Sequence, residues 1–372
     1  MRILHVYSGN LYGGIETFLR TLARTQHGSQ ELAHEFALCF EGRLSRELRE
    51  AGGTVHLLGA VKVSRPWTVW RARRELSRVL RRGGYAAVVC HAAWPQALFG
   101  PVARASGVPL VFYQHDALAG RHWLERWARW TAPDLIISNS RFSAGTLASV
   151  YPGVPYTVRY YPVSPLEPAD PHERARVRAE LGAGERETVI VQSCRMEAWK
   201  GHRLLLEALG RLGGLPGWVL WVAGGAQRPA EASYLAELEA LASRLGIRER
   251  VHFLGQRTDV PRLLRAADIH CQPNLGPEPF GLAFIEALQA GLPVVTTALG
   301  APLETIDDTC GLLVPPEPGP LAEALQGLIQ DGGQRRQLGA GGPPRAAALC
   351  EPAVFLRGLA DDVRALAEGR RP

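Results

Sequence analysis

Several absences narrow the reading of this chain before any motif does. Its six cysteines (Cys39, Cys90, Cys194, Cys271, Cys310, Cys350) are scattered, with no C-x-x-C pair. That argues against a zinc site or a disulfide framework and for a reducing compartment. Met1 runs straight into the strand-like RILHVY, so no secretory signal peptide is expected. No uncharged apolar run reaches the ~18 residues of a membrane span. A cytoplasmic location is therefore expected. Lysine is nearly missing: Lys62 and Lys200 stand alone in an arginine-rich chain. Gly9, Gly13 and Gly14 do not have the G-x-G-x-x-G spacing, which speaks against a dinucleotide site and hence against an NAD-dependent oxidoreductase. There is no short-period repeat and no low-complexity tract.

What is present suits two globular domains. The 372 residues exceed one ordinary core, and 46% hydrophobic with 21% charged residues is a globular composition. Charge is uneven: residues 1–163 carry 20 Arg/Lys against 10 Asp/Glu, and residues 164–372 carry 22 against 26. A basic first half favours anionic partners, such as phosphates or an anionic membrane surface. Strand-like and helical stretches alternate throughout, which predicts parallel sheets covered on both faces. The proline-rich Tyr160–Pro171 marks the boundary. The division expected is 1–163, 164–345 and a C-terminal helical segment, 346–372, with Leu356, Leu359, Val363 and Leu366 at helical spacing. The expected fold class is α/β, two doubly wound Rossmann-like domains facing each other across a cleft.

The chemistry gathers in a few stretches. PNLGPEPFGLAFIEALQAGLPVVT (273–296) puts Glu278 in a Pro/Gly-rich loop and Glu286 in the helical run after it. Gly281 allows close backbone approach, and a helix start offers unpaired N–H groups to an anion. Two carboxylates there can do acid/base work or accept hydrogen bonds from sugar hydroxyls; solvated surface charge is the bland alternative. Arg195 and Lys200 in CRMEAWKGH follow a predicted strand and precede a helix, as a phosphate clamp would. Gly13-Gly14 joins the first strand to the first helix, and His115-Asp116 follows the strand at 109–113; both are expected at strand carboxyl ends. Trp67 and Trp70 in Pro66–Arg82, and Trp123, Trp127 and Trp130 in Arg121–Trp130, alternate with arginines. They suit either a membrane interface or a core stripe with a solvated basic face. A nucleic-acid partner is not expected, since that would need basic and aromatic residues on one exposed face.

Taken together these stretches resemble a retaining glycosyltransferase of family 4, with the GT-B fold. Glu278-x7-Glu286 resembles that family's E-x7-E motif, and CRMEAWKGH its donor-phosphate motif. SNSRFSAGTL (138–147), FLGQRTDVPRLLRAAD (253–268) and CGLLVPP (310–316) match further, while LGAPLE (299–304) departs where the family more often has two glycines. The resemblance implies that Arg195 and Lys200 bind the donor diphosphate, helped by the amides of Phe280, Gly281 and Leu282. It implies Glu278 at the transferred sugar, Glu286 at the nucleotide ribose and the backbone near Arg257 at the base. Gly14 would let the first loop close, and His115 would line the sugar site. No metal or other cofactor is implied, which fits the absence of any D-x-D; the nucleotide sugar is a substrate. The acceptor would be a hydroxyl of a glycan, a lipid-linked glycan or a small molecule, and a peripheral contact with the inner face of the membrane stays open. The alternatives are a sugar-nucleotide epimerase and a non-catalytic nucleotide-sugar binding protein.

Overall fold

The computed structural model describes residues 1–8, 13–25, 31–166 and 170–370. Gly9, most of the Ser8–Gly14 loop and part of the Tyr160–Pro171 stretch lie outside them. The chain divides into two compact units, Met1–Ser164 with Cys350–Pro372, and Pro165–Leu349.

The first unit holds seven parallel strands: β1 (Arg2–Tyr7), β2 (Ala33–Leu38), β3 (Thr54–Leu57), β4 (Ala87–His91), β5 (Leu110–Gln114), β6 (Leu135–Ser138) and β7 (Tyr156–Val158). Their order is β3-β2-β1-β4-β5-β6-β7, so the direction of winding reverses between β1 and β4. The central strands AVVCH and LVFYQ are buried along their whole length, as a sheet covered on both faces requires. The helix Pro352–Ala367 completes this unit. Phe355 meets Phe18 edge-on at 5.7 Å, and Asp362 accepts from the Arg159 guanidinium at 2.7 Å.

The second unit holds six parallel strands: β8 (Thr188–Ser193), β9 (Trp218–Ala223), β10 (Val251–Gly255), β11 (Ile269–Gln272), β12 (Val294–Thr297) and β13 (Gly311–Val314). The order β10-β9-β8-β11-β12-β13 reverses between β8 and β11. Its core joins Trp218, Leu220 and Val222 of β9 to Leu204, Leu205 and Leu209 and to Leu321, Leu325 and Leu328 on flanking helices.

The helix Gly332–Cys350 departs from the sequence reading, which placed no element there and put a segment boundary at 345/346. Its glycines and Pro343-Pro344 argue against a helix by propensity. Packing overrides that. A Cβ at Gly339 would lie 2.3 Å from the Gly291 carbonyl oxygen, and one at Gly341 2.0 Å from that of Thr309. Bare backbone is what lets this helix seat against its neighbours.

Candidate active site

In the second unit the two richest motifs come together at the reversal point. Arg195 and Lys200 follow β8, and Glu278 follows β11, its neighbour across the reversal. Parallel sheets place their ligands at this spot. The loops are fastened to each other. The Gln192 side chain donates to the Lys200 carbonyl at 2.8 Å, and the Leu275 amide donates to the Trp199 carbonyl at 2.7 Å. Gly201 has φ 76° and lies so close to Pro273 that a Cβ would be 1.8 Å from its carbonyl oxygen.

The Lys200 ammonium donates to Glu278 Oε2 at 2.6 Å and lies 3.9 Å from the Trp199 ring centre. The same carboxylate oxygen accepts from Asn274 at 2.8 Å and from Gln272 at 3.4 Å. Both charged side chains are largely buried, 12% and 9% exposed. Glu278 is also fixed through its backbone: its amide donates to Leu299, its carbonyl accepts from Ala301, and it bridges Gly300. Gly300 is the single glycine of LGAPLE. A Cβ there would stand 2.5 Å from the Glu278 carbonyl oxygen, so the one glycine retained is the one the contact demands.

Arg195 pairs with Glu197 at 3.0 Å and stays 40% exposed, so its guanidinium can still meet a ligand. The helix Leu282–Gln289 begins at Gly281, which has φ 88° and provides no side-chain cap. Among the described residues the Gly281 and Leu282 amides have no backbone acceptor, the usual state of a helix start. Phe280 is buried behind them. Glu286 lies half-buried in the second turn of this helix. The Arg257 side chain forks onto Asp259 with two contacts of 2.8 Å.

The first unit places Gly13-Gly14 after β1, and His91-Ala92 at the end of β4, again on either side of its reversal point. The buried Glu16 carboxylate accepts from the Gly13 amide and from the Tyr7 hydroxyl, each at 2.8 Å. This helix start therefore already holds an acid, which favours hydroxyl groups over a second anion. His115 is buried, with Nε2 2.8 Å from His91 Nδ1 and Nδ1 against the Tyr161 hydroxyl. Burial pushes its pKa down to about 3. Both ring nitrogens are thus engaged, and the ring is neutral at pH 7.

Sequence reasoning missed Gln272 and Asn274, which hold Glu278, and Ala92. The signal for the first two was polar residues ending a buried strand. Ala92 has φ 70° and ψ 173°, a region that essentially only glycine favours, and it stands at the reversal point of the sheet.

The tryptophans divide between the two readings. Trp67, Trp70, Trp123 and Trp130 are 65%, 62%, 52% and 83% exposed, whereas Trp127 packs on the core. The helices Pro66–Gly83 and Trp123–Ala128 cover one face of the sheet, because their crossovers run in the same direction across it. Arg126 and Arg129 line a recess beside Trp130. Among the described residues no helix is long and apolar enough to cross a membrane.

A D-inositol 3-phosphate glycosyltransferase of Mycobacterium sp. (strain KMS) is 36% identical over 206 residues, 54% of this chain and 45% of that protein. One from Xylanimonas cellulosilytica is 35% identical over 223 residues, 56% of this chain and 52% of that protein. The chain thus spans about half the length of the curated relatives it matches. Anabaena Alr3699/HepE, solved with UDP and glucose, superposes with a TM-score of 0.86 at 23% identity, covering 98% of this chain and all of that one. WaaG, a glycosyltransferase involved in lipopolysaccharide biosynthesis, gives 0.71 at 19% identity over 98% of this chain and 99% of that one. The α/β architecture of two doubly wound sheets is therefore that of the GT-B fold. Residues 12–164 match the model of Glycosyltransferase Family 4 and residues 173–344 that of Glycosyl transferases group 1, and the chain belongs to this glycosyltransferase family.

Proposed function

We propose that the protein transfers a hexose-type sugar from a UDP- or GDP-type donor to a hydroxyl acceptor, without a metal and with retention of anomeric configuration. The observation that carries the reading is the meeting of Lys200, Glu278 and the open helix start at Gly281 beside the β8/β11 reversal. As the anomeric carbon gains positive character, the diphosphate leaves with growing negative charge. Arg195 and Lys200 meet that charge, and the amides of Phe280, Gly281 and Leu282 add to it. Glu278, held by Lys200 and Asn274, accepts hydrogen bonds from hydroxyls of the transferred sugar. Glu286 does the same for the ribose, and backbone at Arg257 meets the base. From the first unit, Gly14 lets its loop close, and His115 lines the sugar site as a neutral ring rather than as an acid or base.

The exposed Trp67, Trp70, Trp123 and Trp130, set among arginines on one layer, favour a lipid-linked acceptor reached at an anionic membrane surface. The protein would then work at the inner face of the cell membrane. Incubation with a panel of nucleotide sugars, with and without acceptors, tests the transfer. Release of a nucleoside diphosphate coupled to a glycosylated acceptor is expected. A free epimerised sugar formed without acceptor would refute transfer in favour of epimerisation. Sedimentation with anionic vesicles at low salt tests the surface, and no binding there would refute it.

A further inference from the structure

Four histidines of the first unit, far apart in sequence, form one hydrogen-bonded row. His34 Nδ1 meets His5 Nε2 at 2.9 Å, His5 Nδ1 meets His91 Nε2 at 2.9 Å, and His91 Nδ1 meets His115 Nε2 at 2.8 Å. The Tyr161 hydroxyl closes the row at His115 Nδ1. Ring centres follow at 5.1, 5.2 and 5.1 Å.

The register of the sheet makes this row. Ile3 pairs with His34, His5 with Val89, and His91 with Tyr113. Each histidine therefore stands one strand over and two residues further along than the one before. A shift of two keeps the side chain on the same face. The row climbs from the start of β2 to the carboxyl edge at His115. It lies in an aromatic bed: Phe36 stacks on His5, Phe18 lies against His91 and His115, and Tyr113 stacks on His115 at 4.7 Å. Burial lowers all four pKa values, so the rings are neutral and each carries one N–H.

A neutral imidazole donates from one nitrogen and accepts at the other. Two adjacent rings cannot both present N–H, or both present a lone pair, at one contact. One tautomer therefore dictates the next along the whole row. The direction of the row shows at its Tyr161 end. Asn139 Nδ2 donates to the His115 carbonyl at 2.9 Å and to the Tyr161 oxygen at 3.2 Å. We take the row in the sense in which the Tyr161 O–H donates to His115 Nδ1, so that every ring carries its proton on Nε2.

We propose that His34, His5, His91 and His115 are one tautomer-coupled row that fixes the hydrogen-bond polarity of the His115–Tyr161 pair at the carboxyl edge of the sheet, with His91 as a positioning residue. The activity arm of its test rests on the proposed glycosyl transfer; the spectroscopic arm does not.

The experiment is nitrogen NMR of the full-length protein with 15N-labelled histidine, signals being assigned by single substitutions. At pH 7 the four rings are expected to share the Nε2–H tautomer. A mixture among neighbours, or a uniform Nδ1–H row, would overturn the proposal. His91→Leu breaks the row, and His91→Gln supplies one donor and one acceptor in its place. In His91→Leu, His115 should populate both tautomers and kcat should fall roughly 10-fold with donor KM unchanged; His91→Gln should restore both. An unchanged His115 tautomer in His91→Leu would overturn the positioning role. If that variant does not fold, Tyr161→Phe removes the anchor and should give the same mixed His115 signal; a single tautomer there counts against the proposal. A uniform row in a protein without transferase activity would sink the functional reading alone.

Discussion

Lys200 and Glu278 offer a test that separates folding from chemistry. Their side chains are about a tenth exposed and 2.6 Å apart. Removing one member of a buried pair strands the other charge, at a typical cost of 3–5 kcal/mol. Here Glu278 keeps the Asn274 and Gln272 amides as donors, so Lys200→Met should cost about 3 kcal/mol, the low end of that range. For a unit of this size, that lowers the melting temperature by roughly 6–12 °C. Adding Glu278→Gln neutralises the stranded carboxylate while the two amides keep an acceptor. The double variant should therefore melt several degrees above Lys200→Met. On the proposed function, transfer should be lost in both, because the Lys200 charge assigned to the diphosphate is gone from each. Thermal melts followed by circular dichroism, beside a nucleoside-diphosphate release assay, measure the two effects. If Lys200→Met melts with the wild type, or the double variant melts no higher than the single one, the pair is not the buried interaction described. If the double variant transfers sugar at near-normal rates, the clamp assignment is wrong.

Three further outcomes can be checked. Ala92→Gly should raise stability by about 1 kcal/mol, since glycine adopts φ 70° without strain; a fall in the urea midpoint would contradict the strain. Glu286→Ala should weaken nucleotide binding in a calorimetric titration by roughly 10-fold while leaving the melt close to wild type, and unchanged affinity would exclude the ribose role. Acid should destabilise both units through their buried histidines. Burial holds His115 and His270 at about 3, and His34 and His202 at about 4, against an unfolded value of 6.5. Folded pKa values below the unfolded one give stability that is full above pH 6.5 and lost as pH falls toward 3–4. At pH 5 each group should withdraw about 2 kcal/mol, and equal urea midpoints at pH 7.5 and pH 5 would refute this.

Much of this was legible in the chain. Buried strands such as WVLWVA and AVVCH announce a parallel sheet by composition alone, and Lys200, one of two lysines in an arginine-rich chain, stood out before its buried pair with Glu278 was visible. The Gly332–Cys350 helix was not legible. Its glycines reduce propensity, and their reason lies in the Gly291 and Thr309 carbonyls, which only tertiary structure brings near. The histidine row was hidden for a related cause. His5, His34, His91 and His115 share no sequence pattern, and strand register alone lines them up. His115 could be placed at a strand end from sequence, but not the engagement of both its nitrogens. Ala92 gave no warning, because strain belongs to a backbone angle and not to a residue type.

The return of the chain to its first unit has a consequence for synthesis on the ribosome. Residues 165–349 form an insertion within unit 1, whose last helix carries Phe355 and Asp362. The usual order, with the amino-terminal unit finished first, cannot hold here. While the insertion emerges, Phe18 and Arg159 wait without the partners that will cover them. The later-made unit can close from contiguous chain, and the earlier one only after the helix Pro352–Ala367 has been made. A truncation after Leu349 would thus leave the oldest part of the nascent protein unfinished, with the insertion intact.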